Sequence, residues 1–133
     1  MKFFAWLLFL ELVVVAIVPI IFVNIESRLV AGMIAGTIFI ALGLFVFVKG
    51  LRERAFRKTF SFAAGCLHLF LSAFPLFITR LMNYSKGFED VRVMGLPGPV
   101  FHQVSTAIFS LLLLATVIDL VLTWRRLRAG RTN

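Results

Sequence analysis

The chain has 133 residues, is 61% hydrophobic and carries a formal charge of +8. An apolar share this far above the usual 45–50% or so excludes an ordinary soluble domain. The positive charge does not point to nucleic acid, because the basic residues sit in loops and a tail beside apolar runs, where topology and anionic headgroups account for them. One cysteine, Cys66, lies within an apolar run and excludes an internal disulfide.

The first apolar run, Phe3–Val23, starts after Lys2 like a signal peptide. It is too long for one, Glu11 interrupts it, and no small-residue cleavage site follows, so it reads as a retained transmembrane helix. Trp6 suits an interfacial anchor and Pro19 a kink near the far end. The short polar turn Asn24–Arg28 joins it to an antiparallel neighbour.

The second run spans about 29–48. Gly32, Gly36 and Gly43 share one face, a spacing that lets helix backbones approach closely. That face serves either dimerisation or packing within the monomer, and the second is the more common use.

Lys49–Lys58 holds five basic residues and one acid in ten positions: Lys49, Arg52, Arg54, Arg57 and Lys58 around Glu53. A basic loop between apolar runs is retained on the cytoplasmic side. This cluster therefore sets the direction of every other segment.

The third run spans about 60–81. Ser61, Gly65, His68, Ser72, Pro75 and Thr79 recur at intervals of three and four, forming one polar and small stripe. In lipid such a stripe faces protein. Ala63, Leu67, Phe70, Phe74, Phe77 and Leu81 form the opposite face and are expected to meet acyl chains.

Residues 82–103 read as the only long loop. Gly95-Leu96-Pro97-Gly98-Pro99 is expected to break any helix. Val91, Val93 and Met94 are expected to lie on the membrane surface or against a partner. The fourth run spans about 104–124, with Thr116, Asp119 and Thr123 as a short polar stripe. Arg125, Arg126, Arg128 and Arg131 follow in a tail.

The expected fold is an all-α integral membrane protein, one domain over residues 1–133. It is a four-helix bundle of two helical hairpins, with both termini inside. That orientation collects ten basic residues on the inner side and four on the outer. Both tryptophans then fall at the cytoplasmic interface. A bacterial cytoplasmic membrane is the expected location.

Three ionisable residues lie inside apolar runs: Glu11, His68 and Asp119. Charged side chains at mid-helix cost about 2.5–3.5 kcal/mol on insertion scales, so each needs a reason to be there. From the helical rise, Glu11 and His68 lie roughly 12 Å inside the cytoplasmic end, and Asp119 about 7–8 Å. The first reading is structural: Glu11 and His68 hold helices together, with His68 the leading partner for Glu11, while Asp119 reaches water or an Arg. The second is a proton or cation site shared by Glu11 and His68.

His68 and His102 stand about 18 Å or more apart across the bilayer and do not share a haem within one chain. No metalloprotease, hydrolase or P-loop motif and no cysteine pair is present, and no cofactor or metal is expected. The expected function is a small accessory or structural subunit of a larger membrane complex. Its partners are other membrane subunits or copies of itself, together with anionic headgroups on the cytoplasmic side. Glu11, the glycines of the second run and the outer loop are its expected contact surfaces. The alternative is a small oligomeric transporter or channel using Glu11 and His68. An enzyme acting on lipid stands third. No family is assigned from these residues.

Overall fold

A computed structural model of the chain describes residues 1–132. The structure is all-helical apart from one two-stranded hairpin. Its four long helices are α1 Lys2–Asn24, α2 Arg28–Arg52, α3 Phe60–Met82 and α4 Gly98–Arg131, each long and apolar enough to cross a membrane.

Local chemistry sets most of the ends. Ser27 starts α2, its Oγ accepting from the Val30 N–H at 3.4 Å. Thr59 does the same for α3, accepting from the Phe62 N–H at 3.3 Å. α2 runs past residue 48, where its apolar pattern stops, and ends at Arg52. Lys49 and Arg52 therefore sit on a last helical turn, where cations favour the unpaired carbonyls. Arg57 folds back to satisfy two of those carbonyls, donating from Nε to Gly50 at 3.0 Å and from Nη2 to Leu51 at 3.2 Å. The basic loop also contains an apolar plug. Phe56 is buried beneath the rings of Phe3, Phe4 and Phe62, with centroids 4.9, 6.0 and 6.0 Å away.

The expected fourth helix over 104–124 is a 34-residue helix beginning at Gly98 and ending at Arg131. Pro99 does not break it. Proline in a first helical turn removes an N–H that has no partner there in any case. At the other end Trp124 does not stop the helix, and the arginines of the tail extend it. A helix this long spans about 51 Å, well beyond a hydrocarbon core of about 30 Å.

The connection between α3 and α4 is correspondingly shorter than 82–103. It holds a 3₁₀ turn at Phe88–Asp90 and a small hairpin in which Arg92 pairs with Pro97 and Val93 with Leu96. The hairpin turns on Met94 and Gly95, with φ of 50° and 83°. Both central residues of a tight hairpin turn of this hand need positive φ. Val91 and Val93 are buried with Phe101 of α4, and Leu76 of α3 packs on them. These two valines close the end of the bundle at which α3 and α4 connect, and only Met94 of the three expected surface residues stands exposed.

α3 carries the most informative irregularity. Residues Leu69–Ala73 form a π-turn, with the Phe74 N–H bonded to the Leu69 carbonyl. Pro75 follows, and the wider turn relieves its clash with the carbonyl four residues back. The extra residue rotates the second half of the helix by roughly 100° relative to a regular wheel. Phe77, expected to face lipid, instead lies against α2 at Gly36, while Phe70 and Leu81 stay exposed. The first half of α3, Phe60–His68, packs chiefly along α4, while α2 lies against the helix over its whole length. The apolar core gathers Leu7 and Val14 of α1, Leu42 and Val46 of α2, Leu112 of α4 and the plug Phe56.

Candidate functional site

The polar stripe of α3 is buried where the sequence places protein contact. Ser61, Gly65, His68 and Ser72 are all buried, and Pro75 and Thr79 are half-buried. Asp119 of α4 meets the start of this stripe. Its Oδ2 accepts from the Ser61 N–H and the Ser61 hydroxyl, each at 2.6 Å, and its Oδ1 from the Phe60 N–H at 3.4 Å. The expectation that Asp119 reaches water or an arginine is thereby corrected. It is only 6% exposed and acts as an N-terminal cap supplied from another helix. The first N–H groups of a helix lack intrahelical partners and carry positive partial charge, which a carboxylate satisfies on both counts.

Glu11 lies deeper and is fully buried. It is not on a contact surface, as expected from the sequence, but inside the bundle. Thr116 of α4 is its hydrogen-bond partner, with 2.7 Å between Thr116 Oγ1 and Glu11 Oε1. Thr116 Oγ1 also lies 3.0 Å from the Leu112 carbonyl. A hydroxyl has one hydrogen, and a carbonyl only accepts. Thr116 directs that hydrogen to Glu11 Oε1 or shares it with the Leu112 carbonyl in a three-centre bond. Glu11 Oε2 has no partner.

His68 is 2% exposed and shares no hydrogen bond with Glu11. Its Nε2 donates to the Phe39 carbonyl of α2 at 3.2 Å, which fixes the hydrogen on Nε2. Nδ1 is buried and unpartnered. The ring stands edge-on to Phe39 and Phe109, with centroids 5.8 and 5.5 Å away. His68 thus bridges α2 and α4 through one polar and two aromatic contacts, immediately before the π-turn.

The helix-packing glycines divide by partner. A methyl group on Gly36 would lie 2.8 Å from Phe77, and one on Gly43 the same distance from Leu69, so both glycines admit α3. Gly65 admits Val46 of α2 in return. Gly32 would meet nothing. The close approaches at Gly36, Gly43 and Gly65 are all within the monomer.

The basic residues also divide. Lys49 pairs with Glu53 and lies 4.6 Å above the Phe3 ring. Arg57 is used on α2, and Arg128 stacks on Trp124 at 4.3 Å. Arg52 and Arg125 are exposed. Arg54, Lys58 and Arg126 line a cleft of about 590 Å³ beside the α2–α3 connection, with Phe4, Phe60, Asp119 and Leu122. Among the described residues no three His, Cys, Asp or Glu side chains gather closely enough to hold a metal ion.

Sequence reasoning missed the cap on α3, the role of Thr116 and the plug Phe56. The first two left one signal: Thr116 and Asp119 lie three apart, on the same face of α4 as Leu112. Phe56 left only an apolar residue inside a charged loop. Comparison with protein families, curated proteins and solved structures gives no match for this chain.

Proposed function

We propose that this chain is a four-span protein of a bacterial cytoplasmic membrane, with both termini inside, acting as an accessory or structural subunit of a larger membrane complex. One observation carries the reading: each of the three buried ionisable side chains, Glu11, His68 and Asp119, holds one helix to another. Asp119 joins α4 to α3, Glu11 joins α1 to α4 through Thr116, and His68 joins α3 to α2. A bundle whose interior polar groups serve its own assembly works through its outer surfaces. The uncontacted, half-buried Gly32 side of α2 and the α3–α4 hairpin are the surfaces this reading assigns to partners.

The distribution of ten basic residues against four supports the orientation. Labelling tests it. In a Cys66→Ser background, cysteines replacing Arg54 and Gly87 should react with an impermeant maleimide from opposite sides of sealed cells. Labelling of both from outside overturns the topology.

Gentle purification at native expression tests the subunit role, with a complex of fixed composition containing other proteins as the expected result. A homo-oligomer free of other proteins overturns it. That outcome favours the second reading, a small oligomeric proton- or cation-coupled transporter. The unpartnered Glu11 Oε2 and His68 Nδ1 support this alternative, as does the π-turn beside His68, since such turns are frequent at functional sites. Under it, Glu11→Gln assembles normally and abolishes uptake in proteoliposomes.

A further inference from the structure

In the cleft beside the α2–α3 connection, several unpaired charges meet an apolar wall. We infer that the cleft bounded by Arg54, Lys58 and Arg126 binds an anionic phospholipid whose headgroup is a phosphomonoester. The inference rests on the membrane reading above for its source of ligand. It goes beyond diffuse attraction of basic residues to headgroups by naming three side chains and one headgroup chemistry.

Three cations line the cleft from two directions. Arg54 and Lys58 come from the α2–α3 connection and Arg126 from the extended end of α4. None of the three has an acidic partner among the described residues, whereas Lys49 has Glu53. The only acid in the lining is Asp119, whose oxygens are occupied by Ser61 and Phe60. Two positive charges therefore remain in excess. A phosphomonoester carries about −1.5 to −2 near neutral pH and matches that excess, while a diester headgroup brings one negative charge.

The start of α3 is already capped by Thr59 and Asp119, so the site acts through side-chain cations and not through a free helix end. The hydroxyls of Thr59 and Thr123 are likewise turned back onto backbone carbonyls. The remaining walls, Phe4, Phe60 and Leu122, are apolar, and Phe60 is 58% exposed beside the cleft. A ligand with a doubly charged head and an acyl tail fits both surfaces at once. Free inorganic phosphate fits only the first.

Native mass spectrometry of the full chain in a neutral detergent tests this. Phosphatidic acid, phosphatidylglycerol and phosphatidylcholine with identical acyl chains are titrated separately, with inorganic phosphate as competitor. Phosphatidic acid should bind at the lowest concentration and resist millimolar phosphate. Arg126→Gln should weaken it roughly fivefold, and Arg54→Gln with Lys58→Gln by about that factor again for each charge removed. Removing three cations outside the cleft, by Arg125→Gln, Arg128→Gln and Arg131→Gln, should leave binding unchanged.

Equal loss in that control overturns the site in favour of general electrostatic attraction. Equal binding of phosphatidic acid and phosphatidylglycerol overturns the monoester assignment. Complete displacement by phosphate makes the cleft a site for the free anion. Arg126→Gln alone keeps the test valid where the triple cleft variant does not fold. Because the measurement is made in detergent, it stands apart from the labelling experiment. Failure of the topology would leave lipid binding intact.

Discussion

Replacing Asp119 tests the link between α4 and the start of α3. Asp119 receives both donors of Ser61 at 2.6 Å and the Phe60 N–H at 3.4 Å, in a site only 6% exposed. Asp119→Asn keeps the shape and one acceptor, which suffices for Ser61. It loses the charge facing the helix end and turns an amide toward the Phe60 N–H. The expected cost is about 1–2 kcal/mol, the scale of a partly buried charge at a helix terminus. Asp119→Ala leaves two buried Ser61 donors without an acceptor, at about 1–3 kcal/mol each. A total of about 3–4 kcal/mol follows, because Thr59 still caps one N–H. Ser61→Ala removes a single bond and should cost about 1 kcal/mol. The assay is unfolding in mixed micelles by increasing SDS fraction, followed by tryptophan fluorescence. The double variant should show a coupling of at least about 0.5 kcal/mol between the two sites. Asp119→Ala within about 0.5 kcal/mol of the parent, the usual range for a surface change, would refute the capping argument.

Three further outcomes follow from the same structure. Glu11→Gln should stay close to the parent in stability, since the amide oxygen accepts from Thr116 as the carboxyl oxygen does. Glu11→Leu should cost about 1–3 kcal/mol by the same SDS titration, and equal midpoints for the two would show that Thr116 does not depend on Glu11. Gly65→Leu should disrupt the α2–α3 contact at Val46 by about 1–3 kcal/mol or more, whereas Phe74→Leu on a half-buried position should be mild; equal expression and detergent stability of the two would reverse the faces. Met94→Gly should raise stability by about 0.5–1 kcal/mol, because Met94 holds a φ of 50° at a site 65% exposed. A lower thermal midpoint would mean that the Met94 side chain packs usefully after all.

The four long helices and the buried stripe of α3 were legible because both rest on one-dimensional patterns. Hydropathy marks a span, and a three–four spacing marks a face. What stayed hidden depends on events between segments or on a change of pitch. The π-turn moves Phe77 from the face expected to meet acyl chains to Gly36, and a regular wheel cannot register an added residue. Asp119 looked shallow by distance from Trp124, yet its depth says nothing about the helix start that lies beside it. Glu11 and His68 were matched by depth alone. The structure gives each a different partner at a similar level, since a bundle offers several neighbours at any depth. The ends of α4 were misplaced because Pro99 and the arginine run stop apolar character without stopping a helix.

The capping of α3 by Asp119 has an outcome for biogenesis. Segments emerge in order, so α1 enters with Glu11 and α3 with its leading N–H groups before either has its companion. Both companions, Thr116 and Asp119, lie on α4, less than one turn apart. The last span thus completes the first and the third together. Under the proposed membrane insertion, a nascent chain stalled before residue 116 carries an unmatched acid and an incomplete helix start. Arrival of α4 removes both in one docking step, which makes the final span the checkpoint of assembly.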